Sequence, residues 1–361
     1  MSQQGRASFR AYTFCGMALD PIHVGTGGSR LGRVDNTIVR DPVTRIPKVP
    51  GSSLAGVVRA YAAMAKGRYP RCAGQGLAGE GKGHCAEPDC PICTVFGFAT
   101  GLDAGGGFAG LAAFSDMQVL LFPVPSASGP LWVTSPLALG HLSPHCLQPL
   151  EPLPDPAACY RLGDDLPQNR DRINLGWLML PLQSGDELKF SDQDNGQDLP
   201  QDNNSDQGVP QKVRDILTKL KVDPRIRGRV VLVSDQVFTQ VVNSNLEVRT
   251  SVAIDPATGA ALEGALFTYE ALPRNTILVW EVICRHPDHF KVGGSEIEAV
   301  ESPEHVREVV ASADDYLEYL GIGGMGRRGM GRLRVWGWQE CGPQAETNHN
   351  SAEQSQGEGQ A

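Results

Sequence analysis

The chain has 361 residues, 41% of them hydrophobic and 20% charged, with a formal charge of −9 at pH 7, a composition that leaves room for a substantial buried core. No apolar run reaches the roughly 18 residues a membrane span needs, and the start MSQQGRASFRAY lacks the apolar stretch of a signal peptide, so no membrane partner and a cytoplasmic location are expected. The acidity does not exclude a nucleic-acid partner. Residues 186–208 hold seven acids against Lys189, and residues 341–361 hold three acids and no base, which accounts for the whole −9 and leaves a body that is about neutral with basic glycine-rich segments.

Residues 7–19 read as a strand. GTGGSRLGRVDN (25–36) then places Arg30 and Arg33 beside Asp35 in a glycine-rich loop. A carboxylate among phosphate-binding arginines would repel RNA unless it has a chemical task. It can assist deprotonation of a ribose 2′-OH, or hold a divalent ion such as Mg2+ that offsets charge on a reacting phosphate. The plainer alternative is a turn cap, or an ion pair with Arg33 or Arg40. GSSLAGVVRAYAAMAKG (51–67) reads as a helix with Ser52 or Ser53 as N-cap and Leu54, Val57, Val58 and Tyr61 on its buried stripe.

Residues 67–92 are rich in glycine, proline and cysteine, with little core-forming content. Nine cysteines, an odd number, with four between 72 and 93, suggest metal before disulfides in a cytoplasmic chain. Cys90 and Cys93 form CxxC, a spacing that lets two thiolates reach one tetrahedral ion, and a closed site would be structural zinc. Cys72, Cys85 and His84 are the candidates for the other two ligands. A free CxxC dithiol is the alternative.

Residues 108–124 read as a strand, 130–150 as a strand or helix pair, and 186–212 as an acidic, exposed, flexible insertion. A strand at 227–235 precedes a short helix. LEVRTSVAIDPATGAALEGALFTYEALP (246–273) reads as two extended arms around a DPATGA turn. Its apolar Val248, Val252, Ile254, Leu266 and Phe267 suit either a core hairpin or one that projects and wedges between bases. TILVWEVICR (276–285) reads as a central strand. SPEHVREVVASADDYLEYLG (302–321) reads as a helix capped by Ser302, with Pro303 and Glu304 in its first turn. GIGGMGRRGMGRLRV follows, with Gly323, Gly324, Gly326, Arg327, Arg328 and Arg332 suited to a polyanion backbone, or else forming a helix-to-strand connector. It lacks the GxxxxGK[ST] pattern of a nucleotide-triphosphate loop. The tail, 341–361, reads as disordered. Irregular alternation of strands, hairpins and helices predicts an α+β fold.

In this order the segments resemble the RAMP superfamily, and within it the Cas-seven type backbone subunits of type III CRISPR effector complexes. The resemblance rests on GGSRLGRVDNTIVRDPVTRIPKVPGSSLAGVVR at the N-terminal side and GIGGMGRRGMGRLRV at the C-terminal side. FPVPSASGPLWVTSPLAL and the 246–273 arms look most like the Cmr complex, and CPICTVFG like the zinc-bearing subunit of the Csm complex. It implies one modified ferredoxin-like (RRM-related) domain over 1–340, with a zinc-stapled loop at 67–97 and a thumb hairpin at 246–273. Its implied partners are guide (CRISPR) RNA, complementary target RNA, other effector subunits, and further copies or paralogues of the chain. Asp35 corresponds to the family's acid for metal-dependent cutting of target RNA by 2′-OH attack. Arg30, Arg33, Arg40, Ser52, Ser53 and Arg59 would be guide-side contacts, and the PGSS helix start would offer N–H donors to a phosphate. Two other readings remain open: an RNA-binding scaffold without catalysis, and a stand-alone guide-processing endoribonuclease using His23.

Overall fold

The run TILVWEVICR lacks polar alternation because the strand it forms, Ile277–Arg285, is covered on both faces. The computed structural model describes residues 7–27, 34–74, 84–99, 107–142, 150–151, 154–167, 169–190, 208–262 and 265–340. Across its main sheet the strands run Leu333–Glu340, Phe9–Ala18, Ile277–Arg285, Met117–Val124, Leu131–Thr134, Val230–Leu232, Cys159–Arg161, Leu178–Ser184 and Arg172–Leu175. The first five pair antiparallel. Val230–Leu232 lies parallel to Leu131–Thr134, and Cys159–Arg161 parallel to Leu178–Ser184, so the sheet is mixed.

Alternate residues of these strands feed two cores. Tyr12, Phe14, Trp280 and Val282 face Leu54 and Val58 of the Gly51–Ala65 helix and Val306 and Val310 of the Pro303–Ala311 helix. Cys15, Ile277 and Val279 face Val213, Ile216 and Leu217 of the Val209–Lys219 helix. Phe14 sits opposite Trp280 in the register, and their rings stack at 5.7 Å. Truncating either ring would cost about 3–5 kcal/mol, the usual cost of an aromatic lost from a packed core.

The first helix starts two or three residues earlier than Ser52 or Ser53 would set it. Its N-cap is Pro50, with no side-chain cap. The Gly51 amide instead donates to Asp116 Oδ1 at 2.8 Å, and Lys48 Nζ holds Asp116 Oδ2 at 2.6 Å. A Cβ on Gly51 would lie 2.8 Å from the carbonyl oxygens of Phe114 and Ser115, so the glycine lets the helix begin against a neighbouring strand. That same Asp116 interrupts the expected 108–124 strand, which forms as Ala112–Phe114 and Met117–Val124.

The expected 302–321 helix is two, Pro303–Ala311 and Asp314–Tyr319, because the Ser312 hydroxyl donates to the Val309 carbonyl at 2.6 Å and ends the first. Ser302 does cap it, accepting from the His305 amide at 3.3 Å. The acidic insertion is shorter than read. Residues 191–207 lie outside the described residues, but 209–212 open the Val209–Lys219 helix, with Pro210 in its first turn. The 130–150 stretch yields the strand Leu131–Thr134 and the short helix Pro136–Leu139, with 143–149 outside the described residues. The tail, 341–361, also lies outside them. No helix among the described residues is long and apolar enough to cross a membrane.

Candidate functional site

The arms at 246–273 form a two-stranded hairpin of their own, Glu247–Ser251 against Phe267–Ala271, apart from the main sheet. Beyond the paired strands its apolar side chains face outward. Val252, Ile254 and Leu262 are exposed, and Leu266 is 64% exposed. Asp255 closes the tip, accepting from the Ala257 amide and the Thr258 hydroxyl. The outer part of the arms is thus not core, while Tyr269 and Ala271 at the foot are buried.

Three chain-distant segments meet at the foot of this hairpin. Residues 22–27 and 34–40 run beside it: Ile22 pairs with Leu272, and Asn36 bridges to Tyr269. The C-terminal glycine loop packs from the other side, where the Gly324 amide donates to the His23 carbonyl at 2.8 Å. Gly323 has φ +87°, and a Cβ there would sit 2.4 Å from the same carbonyl. Gly323→Ala is therefore expected to destabilise the fold by about 2–4 kcal/mol in urea unfolding, combining left-handed strain with a backbone clash. Gly326→Ala is the control, since nothing lies within 4 Å of its Cβ position. Equal stability of the two variants would contradict this packing.

Asp35 lies at this foot with an exposed side chain. Its Oδ2 accepts from the Thr268 amide at 2.7 Å and the Thr268 hydroxyl at 2.9 Å, while its own amide donates to that hydroxyl oxygen at 3.1 Å. The Thr268 amide, then the Thr268 hydroxyl, hold the carboxyl below the ordinary aspartate value, so it is anionic at neutral pH. No described residue donates to Oδ1. Among the described residues Asp35 therefore neither caps its own turn nor pairs with Arg40, Arg33 lying outside them; Thr268 holds it through Oδ2.

The other sequence candidates fall into separate groups. Arg30 and Arg33 lie outside the described residues. Arg40 is turned inward, bonded to Glu270 Oε2 at 2.8 Å, Asn243 Oδ1 at 2.9 Å and the Ile38 carbonyl at 3.1 Å. It braces the hairpin foot and presents no free guanidinium. Arg59 is 9% exposed and donates to the carbonyls of Cys72 and Gly97. Burial and these partners remove it from any RNA-facing surface. Ser52 is exposed and Ser53 half-buried in the first helical turn, where Asp116 already takes the Gly51 amide. A carboxylate at that terminus competes with a phosphate. In the C-terminal loop Arg327 is exposed with no ion pair among the described residues. Arg328 reaches Ser251 Oγ at 2.8 Å and lies 5.4 Å over the Phe267 ring, so it clasps the hairpin. Arg332 pairs with Asp20.

His23 is 6% exposed, and its Nδ1 lies 2.6 Å from the Glu270 carbonyl. A carbonyl only accepts, so Nδ1 carries the proton and donates. Gly25 packs against Nε2. The ring is part of the hairpin foot.

A second site lies in the 67–97 loop. The Cys72, Cys85, Cys90 and Cys93 sulfurs all fall within 4.8 Å of one another, with Cys72–Cys85 at 3.5 Å, Cys85–Cys93 at 3.6 Å and Cys72–Cys90 at 3.8 Å. A tetrahedral ion with metal–sulfur bonds of about 2.3 Å has edges of about 3.8 Å, which these distances match. Four sulfurs in contact cannot all ionise without a positive centre, and a divalent ion supplies one. Cys90 is lowered to about 5, chiefly by the Cys93 thiol. His84 does not join the set; its Nδ1 lies 2.8 Å from the Arg59 guanidinium. Arg59 and Arg68 stand beside the sulfurs, and Arg68 is held above its ordinary value chiefly by Cys90. Their charges offset part of the −2 of a divalent ion with four thiolates. Arg59 thus ties the first helix to the metal-competent loop, a role that its position in the helical repeat conceals.

The described residues thus bring the foot of the hairpin, the C-terminal glycine loop and the exposed Asp35 carboxylate together. The RAMP superfamily profile matches residues 17–334, and the chain belongs to that superfamily. Among curated proteins it is 25% identical over 276 residues to the CRISPR system Cmr endoribonuclease Cmr4 of Pyrococcus furiosus, covering 74% of this chain and 79% of that protein. A CRISPR Csm3 endoribonuclease of Methanothermobacter thermautotrophicus is 34% identical over 88 residues, 24% of this chain and 32% of that one. The structure of a type III-B Cmr-beta complex bound to cognate target RNA contains a chain that superposes with a TM-score of 0.56 at 16% identity, over 91% of this chain and 99% of that one.

Proposed function

We propose that the chain is a backbone subunit of a type III CRISPR ribonucleoprotein, lying along guide RNA beside further copies of itself and other effector subunits and cutting complementary target RNA through Asp35. The observation that carries this reading is Asp35 itself: an exposed carboxylate whose Oδ1 has no partner among the described residues, at the foot of a hairpin with exposed apolar side chains. The relatives named above are endoribonucleases by name, and a target RNA accompanies the structural neighbour. The order Leu333–Glu340, Phe9–Ala18, Ile277–Arg285, Met117–Val124, all antiparallel with helices between, supports a ferredoxin-like βαββαβ palm. The four-cysteine site suits structural zinc.

In this reading the hairpin separates guide from target and the loops hold the backbone, so a target ribose is placed with its 2′-OH in line with the adjacent phosphate. Asp35, an anion at neutral pH, faces the 2′-OH through Oδ1 and favours loss of its proton. Asp35 is the residue that would hold a divalent ion here, and such an ion would offset charge on the reacting phosphate. The products are a 2′,3′-cyclic phosphate and a 5′-OH. The test is a complex assembled on guide RNA with labelled complementary target and magnesium. Chelator-sensitive cuts with those ends are expected; 3′-OH ends, or no cutting with any divalent ion, would sink the mechanism.

One observation favours a scaffold reading: two hydrogen bonds already satisfy Asp35 Oδ2, which is what a purely structural acid would show. The burial of His23 and the engagement of its Nδ1 weigh against a histidine-based guide-processing enzyme.

A further inference from the structure

Asp35 follows a loop whose residues 28–33 lie outside the described structure, and it belongs to no helix or extended strand. What places its carboxylate is a residue 233 positions away, in the second strand of the hairpin. Resting on the catalytic reading of Asp35, we propose that Thr268 is its positioning residue: amide and hydroxyl together occupy Oδ2 and leave Oδ1 as the oxygen presented to the reacting ribose or a divalent ion.

The geometry is a closed clamp. Thr268 donates twice to Oδ2, at 2.7 and 2.9 Å, and accepts once from the Asp35 amide at 3.1 Å. Adjacent backbone bonds hold the two segments in step: the Asn36 amide donates to the Thr268 carbonyl and the Glu270 amide to the Asn36 carbonyl, both at 3.0 Å. A free aspartate turns about two side-chain torsions and offers either oxygen. Here the torsions are set by a half-buried threonine on a paired strand, so the oxygen left without a partner among the described residues is fixed before RNA arrives. The clamp has a second consequence. Phe267, the neighbour of Thr268, lies under the Arg328 guanidinium, so the C-terminal loop, the hairpin and the acid are held as one body. A ligand that displaces the hairpin displaces the acid with it.

The threonine hydroxyl is the part that a substitution can remove. Thr268→Val keeps the shape, the β-branch and the amide but loses the hydroxyl, whereas Thr268→Ser keeps the hydroxyl. The experiment is single-turnover cleavage of target RNA by complexes assembled with wild type, Thr268→Val, Thr268→Ser or Asp35→Ala, with target affinity measured in each. Thr268→Val is expected to cut about 10- to 100-fold more slowly, the factor carried by one lost hydrogen bond to a charged group, with affinity within about twofold of wild type. Thr268→Ser is expected within about threefold of wild type. A merely structural threonine would change affinity or assembly with rate, and serine would not rescue it selectively.

Amide exchange of the full-length chain supplies an independent readout. The Thr268 N–H should exchange faster in Asp35→Ala, because its acceptor is gone. Wild-type rates in Thr268→Val, or equal loss in Val and Ser variants, overturn the positioning role, as does an unchanged Thr268 amide. If Asp35→Ala itself cuts like wild type, the catalytic reading of Asp35 fails, a result separable from failure of the clamp.

Discussion

Asp35→Ala is expected to slow target-RNA cutting by about 10³-fold or more, within the range a positioned acid–base group contributes, while target affinity changes by no more than about twofold. The separation follows from where the acid sits. Its side chain is exposed and anionic, so in direct contact an RNA backbone is repelled, and removing it takes away no hydrogen bond to a phosphate. Its only described partner is Thr268. Alanine therefore also releases one edge of the hairpin foot, and a second variant is needed to keep that edge. Asp35→Asn retains an oxygen that can accept from the Thr268 amide but carries no charge. Both variants are expected to assemble on guide RNA and bind target, and both to lose cutting. If Asn cuts normally and Ala does not, the clamp matters and the charge does not. If both cut like wild type, the acid is structural and the chain holds RNA without cleaving it.

Cys90→Ser is expected to abolish stoichiometric metal binding and lower the unfolding temperature by roughly 5–15 °C, as loss of a structural ion does when the surrounding segment has little core of its own. Cys90 precedes the Pro91–Phe96 helix and its sulfur touches Cys72, so the substitution opens the tetrahedron while serine still suits the N-cap position. The effect should spread beyond the loop. Arg59 reaches from the Gly51–Ala65 helix to the carbonyls of Cys72 and Gly97, and without a thiolate centre beside it a buried guanidinium loses its compensating charge. His84→Ala should keep the metal, because four sulfurs complete the set without it. Metal content by elemental analysis and thermal unfolding of both variants decide the matter. Full metal occupancy in Cys90→Ser, or loss of metal in His84→Ala, would show that the ligand set is drawn wrongly.

How much of this was legible beforehand varies with the range of the interaction. The hairpin at 246–273 was readable because a DPATGA turn between two extended arms is a local signal; that its apolar residues face solvent was not, because a core hairpin has the same pattern. The Ser302–Pro303 helix start was readable for the same reason. The PGSS start misled, since the group that satisfies Gly51 is Asp116, from a strand edge 65 residues away. Arg59 misled more sharply. A lone arginine on an amphipathic helix normally faces solvent, and only the cysteine loop folded against it turns it into an internal tie.

The sequence by itself determined the chemistry available: one acid between glycine-basic segments, a CxxC with further cysteines near it, a pair of apolar extended arms around a turn, and strands long and apolar enough to be buried on both faces. These are properties of composition and short spacing, and they survive without knowledge of what lies across the fold. Only the tertiary structure decided which groups meet. It brought Cys72 and Cys85 to the CxxC and left His84 to Arg59, turned Arg40 toward Glu270, and set Thr268 on Asp35. The physical reason is common to all of them: a hydrogen bond or a shared ion rewards proximity in space, and across 233 residues nothing in the local pattern of either partner records the other.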